Sequence, residues 1–261
     1  MKTIFVAGVF AAAFYGAPAM AADMPLKAPP VAQVADPLWT GWYLGLNAGG
    51  SWGTSQTSTS TTAVAGPGLT LSALSIGIIN GIGAPTNIDT SSFTGGAQGG
   101  YNYQIGQWLV GIEADFEYFR NAGSNTTSSA TGAFVLNSSV STDWLFTARP
   151  RLGFISNNWL FYGTGGLAVT RLSAAWNMGG TALISESASA SATRAGWVVG
   201  GGVETKLPGK WLLGVEYLYV NFDSISATGF SNASGAPVAN PINHSADLNA
   251  NIVRARLSKL F

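Results

Sequence analysis

The chain has 261 residues, only 9% of them charged, and a formal net charge of zero, whereas roughly 25% of residues are charged in soluble domains. The balanced charge gives no case for nucleic-acid binding, and the absence of cysteine excludes disulfide bonds and thiolate metal sites. Glycine and tryptophan are abundant, at 34 and 9 residues, yet no apolar run of about 20 residues follows the amino-terminal segment, which excludes a membrane-spanning helix there.

The amino-terminal segment has the pattern of an export signal followed by a linker. A lysine precedes an apolar core over residues 4–15, and Ala19-Met20-Ala21 has the small-residue pattern cleaved by signal peptidase. We therefore predict a signal peptide over residues 1–21, with cleavage after Ala22 as the alternative. The next stretch is rich in proline, so residues 22–38 are predicted to form an extended periplasmic leader without a core of its own.

From residue 39 onward, eight stretches alternate between apolar and polar side chains. In a strand, successive side chains point to opposite faces, so such a stretch has one apolar and one polar face. The third stretch, residues 110–118, sets apolar side chains against Glu113, Asp115 and Glu117, and the last does the same against Arg254 and Arg256. The fifth, residues 159–175, is apolar on both faces, which leaves its phase open.

The connections between these stretches alternate in length. Residues 105–107, 156–158 and 208–210 have the composition of tight turns. The intervening stretches are long and rich in Ser, Thr, Gly and Asn, and they cover residues 53–92, 121–142, 177–193 and 223–247. Short turns at one end, long loops at the other and an even strand count are typical of outer-membrane barrels. We predict an all-β fold, an eight-stranded antiparallel transmembrane β-barrel over residues 39–261, with mobile surface loops.

The tryptophans are predicted to form two girdles at the ends of the strands, because amphipathic rings favour the headgroup level of a membrane. The predicted members are Trp42, Trp108, Trp159 and Trp211 at the short-turn end, and Trp52, Trp144 and Trp197 at the loop end.

The alternation directs five acids and five bases into the predicted barrel. They are Glu113, Asp115, Glu117, Glu204, Glu216, Arg149, Arg151, Lys206, Arg254 and Arg256. An eight-stranded barrel is only wide enough to be filled by its own side chains, and unpaired buried charges are costly. A plug of paired charges is therefore favoured over a conduction path, which stays open as the alternative.

Positions counted from the short-turn end predict two pairs in this set. Glu216 lies level with Arg256, and Glu113 lies level with Arg149. A small stagger between strands would make Arg254 and Arg151 the partners instead.

Three motifs resemble the porin-family, outer-membrane immunogenic proteins of alphaproteobacteria, which are small opacity-type barrels. They are Trp39-Thr40-Gly41-Trp42-Tyr43-Leu44-Gly45 after a KAPP segment, Gly111-Ile112-Glu113-Ala114-Asp115-Phe116, and the run from Trp159 to Ala168. The likeness extends in order over the mature chain. It departs at Lys259, where the family usually has an aromatic residue, but Leu257 and Phe261 keep the pattern of a barrel-assembly signal.

The resemblance implies a structural or surface protein of the outer membrane. The amino terminus would be periplasmic and the long loops extracellular. The expected partners are outer-membrane lipid and lipopolysaccharide, the barrel-assembly machinery, and host or surface ligands contacted through the loops, with no nucleic acid among them. A narrow porin or transient channel for small solutes is the first alternative.

A lipid-modifying outer-membrane enzyme is the less favoured alternative. It would need a cooperating Ser/His pair, and the one histidine, His244, is followed directly by Ser245. Neighbouring strand residues face opposite sides, so these two could not cooperate in a strand. We interpret His244 as solvated in the last loop, and we predict no catalytic, cofactor-binding or metal-binding residue.

Overall fold

The computed structural model describes residues 39–65, 68–180, 184–233 and 235–261. The predicted signal peptide and proline-rich leader lie outside these residues. The described residues form nine strands and one helix: β1 Gly41–Thr61, α1 Ala73–Ile82, β2 Thr86–Ile105, β3 Trp108–Phe119, β4 Ala122–Ser128, β5 Val135–Ser156, β6 Trp159–Gly179, β7 Ile184–Leu207, β8 Trp211–Ala233 and β9 Ala236–Leu260.

Eight of these strands close into a ring of antiparallel neighbours. The order is β3-β2-β1-β9-β8-β7-β6-β5, and β5 pairs back to β3. The ninth, β4, follows β3 after two residues and pairs with the far part of β5, so it continues the same wall. The predicted eight-stranded transmembrane barrel is thereby confirmed. A closed ring satisfies the strand backbone internally, as a lipid environment requires.

The two faces of the wall differ as the alternation predicts. Large apolar side chains such as Trp42 and Leu46 are exposed on the outside, at 64% and 68% of their surface. On the inside, Arg254 and Arg256 are buried. Among the described residues, no helix is long and apolar enough to cross a membrane.

The strands are about twice as long as predicted, and the predicted loop boundaries are wrong. Seven strands have 20 to 25 residues, so most of the Ser- and Thr-rich stretches are strand rather than loop. Their inward positions carry side chains such as Leu136, Val140 and Ile242, which are buried. Their outward positions carry serine and threonine, and β-branched threonine suits a strand. The Ser- and Thr-rich composition therefore belongs to the parts of the strands above the lipid-facing band, and not to the connections between strands.

The longest connection, between β1 and β2, contains the helix that the sequence did not predict. Ser72 caps α1 by accepting a hydrogen bond from the Ser75 amide at 3.1 Å. Ile79 and Ile82 on its inner face are buried in the apolar cluster of the loop end. The Thr59 amide donates to the Gly83 carbonyl at 2.8 Å, so the end of the helix is tied to β1.

The interior has three layers. At the short-turn end lies an apolar layer of Trp39, Tyr43, Leu109, Ile155, Leu160, Tyr162, Leu212 and Leu260. The loop end is filled by a larger apolar cluster around Phe119, Leu172, Trp176, Phe222 and Ile252. Between the two lies a layer of charged side chains. The interior is therefore packed, and the charges are enclosed by apolar layers on both sides.

Two phenylalanines of β8 test how much the loop-end layer stabilises the barrel. Phe222 is buried, whereas Phe230 is 60% exposed. Phe222→Ala should lower the unfolding free energy by about 3–5 kcal/mol, because truncation leaves a cavity, and Phe230→Ala should have a much smaller effect. The temperature at which unboiled protein loses its folded mobility on a detergent gel measures both. Equal shifts would contradict a packed interior at the loop end.

Candidate functional site

The charged layer is built from five strands. It comprises Glu113, Asp115 and Glu117 of β3, Arg149 and Arg151 of β5, Glu204 of β7, Glu216 of β8, and Arg254 and Arg256 of β9. Each of these side chains alternates with outward residues along its strand, and all are buried. The register sets Glu113 opposite Arg149 on one wall and Glu216 opposite Arg254 on another.

Arg149 joins two walls of the barrel. Its guanidinium is 2.7 Å from Glu113 and 2.8 Å from Asp115 on the neighbouring strand β3. It also reaches Glu216 at 3.2 Å, although β8 is separated from β5 by two strands. The contact therefore links side chains of strands that are not neighbours in the wall.

Glu216, like Glu113, is shared by three arginines. Arg254 and Arg256 each approach it to 2.7 Å, in addition to Arg149. Arg254 continues to Asp115 at 3.2 Å and to Glu117 at 3.1 Å. Three positive charges around one carboxylate are balanced only because these arginines also contact the acids of β3.

Arg256 and Arg151 complete the layer towards the short-turn end. Arg256 forms ion pairs with Glu113 and, at 3.5 Å, with Glu204. Arg151 contacts Glu204 at 3.2 Å and Glu113 at 3.4 Å. In the charged layer, every carboxylate thus contacts at least one arginine, and every arginine contacts at least two carboxylates.

The strands that carry no charge into the layer supply neutral donors and acceptors. Tyr43 of β1 donates to Glu113 at 2.6 Å, and Tyr162 of β6 donates to Glu216 at 3.0 Å. Asn47 donates to Gln98 at 3.2 Å, and Gln98 donates to Ser258 at 2.9 Å. Buried charges are tolerated when their remaining hydrogen-bonding positions are satisfied, and these groups satisfy many of them.

Both pairs predicted from the sequence are in contact, one between directly opposite residues and the other between diagonal neighbours. Glu113 and Arg149 are cross-strand neighbours in contact. Glu216 lies opposite Arg254, and Arg256 lies opposite Gly214, two residues before Glu216 on β8. Because arginine is long, Arg256 still reaches Glu216 diagonally, so both predicted alternatives contact the same carboxylate.

Lys206, the tenth predicted charge, lies below the layer. Its ammonium is 4.7 Å from the centroid of the buried Trp39 ring, a cation–π distance. The Trp39 amide in turn donates to the Gln104 side chain at 2.8 Å. Trp39 thereby contacts both β7, through Lys206, and β2, through Gln104.

The interpretation of His244 as a solvated loop residue is wrong. It lies in β9, is buried, and stacks on Trp176 with 5.0 Å between ring centroids. Its Nδ1 is 2.8 Å from the Thr59 hydroxyl, and its Nε2 is 3.2 Å from Glu186. Ser245 points outward to Ser58 at 2.8 Å, so the two neighbours face opposite sides. The error has the same cause as the loop boundaries, since a Ser- and Asn-rich stretch was taken for a loop.

The charged layer is a network of ion pairs between five carboxylates and four guanidinium groups. Its carboxylates are engaged by arginines, and the hydroxyl groups beside them, including that of Thr147 at 2.7 Å from Asp115, are buried. Over the described residues, no group of three or more His, Cys, Asp or Glu could hold a metal ion. Three buried atoms of the layer lack a hydrogen-bond partner, namely Glu117 Oε1, Arg149 Nε and Arg256 Nε.

The remaining predicted residues lie on the outer face. Six of the girdle tryptophans are exposed by 41–64%; they are Trp42, Trp52, Trp108, Trp159, Trp197 and Trp211. Trp144 is half-buried and stacks on Phe116 at 5.8 Å. Leu257 and Phe261 are also exposed.

Sequence reasoning missed Tyr43, Tyr162 and Trp176 as interior residues. The signal for Tyr43 was available, because it alternates with the outward Trp42. Tyr162 and Trp176 lie in β6, where both faces carry apolar residues, so the sequence does not show which residues point inward.

Comparison with known proteins finds relatives that are outer-membrane proteins. The family described as outer membrane protein beta-barrel domain matches residues 9–236. A 31 kDa outer-membrane immunogenic protein of Brucella melitensis is 32% identical over 241 residues, covering 89% of this chain and 92% of the relative. A 22 kDa outer membrane protein of Rhizobium leguminosarum bv. viciae is 31% identical over 135 residues, covering 52% of this chain and 55% of that protein.

Among solved structures, the outer membrane protein OprG from Pseudomonas aeruginosa aligns with 85% of this chain and 97% of its own. The TM-score is 0.44 and the identity 12%, a likeness too loose to carry an argument.

Arg256 and Glu216 provide the test of the charged layer. Arg256→Ala leaves buried carboxylates short of a partner and should cost on the order of 3–5 kcal/mol of stability. Glu216→Gln, made in the same protein, removes part of the unbalanced charge and should restore part of the loss. Unfolding temperatures on detergent gels measure both, and Arg120→Ala, at an exposed position, is the matched control. Strictly additive effects of the two substitutions would separate Arg256 from Glu216.

Proposed function

The chain belongs to the family of outer membrane protein beta-barrel domains, and from that membership we propose that it is a structural and surface protein with a sealed lumen. It is an outer-membrane protein, as the resemblance of its motifs predicted. Its proposed work is to support envelope integrity and to present its loop end at the cell surface.

The observation that carries this proposal is the layered interior. A conduction path needs continuous polar or wide space along the axis, whereas here the charges lie between two apolar layers. Arginines that contact acids on other walls also cross the lumen. Moving any of them aside would leave buried charges unpaired, which is costly. A narrow porin is the less favoured alternative for this reason.

The same interior supports a non-enzymatic role. The carboxylates of the charged layer are paired with arginines, and the hydroxyl of Thr59 beside His244 is buried. The lipid-modifying alternative is tested by mass spectra of the lipids from cells with and without the gene. We expect identical spectra, and a lipid species that depends on the gene would favour an enzyme.

The proposed orientation has the amino terminus and the tight turns in the periplasm and the loop end outside the cell. Support comes from the alternation of connections, because short turns are periplasmic in bacterial outer-membrane barrels. The outer face with its girdles would contact outer-membrane lipid and lipopolysaccharide. Leu257 and Phe261, both exposed, are the proposed contacts of the barrel-assembly machinery, and host or surface ligands would meet the loop end.

Wild-type protein should show no stable ohmic conductance in a planar bilayer, because the packed interior leaves no water path. Trp39→Ala opens only the apolar layer at the short-turn end, so we expect that this variant remains closed. Gel mobility of protein recovered from the bilayer verifies that it is folded. A large, stable conductance of the wild type would overturn the sealed lumen and promote the porin alternative.

The absence of cysteine allows a clean test of orientation. Leu74 is 73% exposed on α1 at the loop end, and Ser156 is exposed at a tight turn. A membrane-impermeant thiol reagent added to whole cells should label Leu74→Cys and leave Ser156→Cys unlabelled until the cells are lysed. The reverse pattern would invert the proposed topology.

A further inference from the structure

Three buried oxygen atoms without a hydrogen-bond partner lie on residues around Gly96, on the inner face of the wall. Asn47 of β1 and Glu117 of β3 are both directly opposite Gly96, one on each side of β2. Thr94 is the next inward residue along β2. Within the part of the chain that the structure describes, Asn47 Oδ1, Thr94 Oγ1 and Glu117 Oε1 have no hydrogen-bond partner. Because at most 5% of the surface of each residue is exposed, bulk water does not satisfy these oxygens.

The other polar atoms of the amide and the carboxylate are engaged. The Asn47 side-chain nitrogen donates to Gln98 at 3.2 Å, and Glu117 Oε2 accepts from Arg254 at 3.1 Å. Each bond fixes the orientation of its group and leaves one oxygen over. An acceptor left unpaired in the interior is costly, so three of them around one glycine indicate a bound species that the chain itself does not supply.

The carboxylate of Glu117 is also only partly neutralised. The charged layer contains five carboxylates and four guanidinium groups, and Lys206 lies at its opposite, short-turn side. The arginine that contacts Glu117 is Arg254, which is shared with Asp115 and Glu216. Negative charge therefore remains at the loop-end side of the layer, where the unpaired oxygens lie.

The chemistry of the three oxygens selects the ligand. Carboxylate, amide and hydroxyl oxygens are ligands of hard cations, whereas softer metals prefer nitrogen or sulfur. A single carboxylate is balanced by a single positive charge. A divalent ion would add an excess positive charge beside Arg254, and would be repelled by it. The set therefore suits a monovalent cation.

Hydroxyl groups connect these oxygens to the loop end. From Ser51 to Thr61, every inward residue of β1 except Gly53 carries a hydroxyl. They offer successive oxygen ligands to a cation that enters along β1, beside the apolar cluster of the loop end. On the short-turn side of Glu117, three arginines contact Glu113, and their positive charge would stop the ion there. Entry from one end without conduction is compatible with the proposed absence of a pore.

We propose that Asn47, Thr94 and Glu117 bind a monovalent cation, for which sodium is the probe. The ion would take one oxygen from each side chain and complete its coordination with water. It would offset the charge of Glu117 and join β1, β2 and β3 from inside, as the arginines join other walls. This inference goes beyond the structural role proposed above and does not depend on the orientation of the barrel.

Thermal unfolding of the purified protein in an uncharged detergent tests the site. Sodium chloride is compared with choline chloride at equal ionic strength, since choline is too large to take three oxygens in a packed interior. We expect sodium to raise the unfolding temperature above that in choline, because a ligand that binds only the folded state stabilises it. Above the dissociation constant, each tenfold rise in sodium should raise the ratio of folded to unfolded protein by up to about tenfold. Equal unfolding temperatures in the two salts would overturn the proposal.

Matched variants locate the ion. Thr94→Val replaces the hydroxyl by a methyl group of similar size and should abolish the difference between sodium and choline, as should Glu117→Gln. Thr94→Ser keeps the hydroxyl and should retain the difference. Thr90→Val is the control, because Thr90 also has a buried hydroxyl without a partner but lies four residues, roughly 13 Å, from Thr94 along the strand. The heat-dependent gel shift verifies that each variant is folded.

Three outcomes would contradict the site. A sodium effect that survives in both Thr94→Val and Glu117→Gln, or that Thr90→Val also abolishes, would place the ion elsewhere. Calcium that replaces sodium at a hundredth of its concentration would overturn the monovalent ion. An unfolding temperature that responds to pH but not to sodium in the wild type, and to neither in Glu117→Gln, would assign the place to a proton instead.

Discussion

The neutralisation of charge across the lumen is the constraint on which the rest of this barrel depends. A carboxylate or guanidinium inside a narrow barrel cannot be solvated by bulk water, so its partners must come from other strands. Glu216 meets arginines of β5 and β9, and Arg254 meets acids of β3 and β8. These contacts require eight strands in this order and register. The wall positions the charges, and the charges in turn fix how the walls face one another.

The apolar layers at either end strengthen this constraint. Trp39 and its neighbours form a buried apolar cluster at the short-turn end, and the residues around Trp176 and Phe222 form another at the loop end. In surroundings of low dielectric constant, ion pairs attract more strongly and unpaired charges cost more. Membership of a family of β-barrel domains is by itself compatible with a water-filled interior. In this chain buried apolar side chains lie on both sides of the charged layer, and this packing is the physical basis of the proposed structural role.

Alternation of side chains predicted most of the fold and of the charged layer. Glu113, Arg149 and Arg254 were placed inward because each lies between outward apolar residues, and the period of two leaves little freedom. The limit of the lipid-facing band was predictable from the girdle tryptophans. The strand parts towards the loop end were not predictable. Their outward side chains are Ser and Thr, which is also the composition of a loop, and only buried inward residues such as Leu136 and Ile242 identify these parts as strand. Diagonal contacts such as Arg256 with Glu216 depend on strand stagger, which no local pattern encodes.

The distribution of the buried charges among the strands bears on how the barrel enters a membrane. Strands β3 and β5 together carry one more acid than base into the lumen, and β8 and β9 together carry one more base than acid. A hairpin from either side would therefore carry uncompensated charge into hydrocarbon if it inserted alone. Insertion of partial structures should thus be strongly disfavoured, and both sides should close around the arginines in one concerted event. The slow step of assembly would then be the meeting of strands that lie far apart in the chain, as expected when non-local contacts dominate a fold.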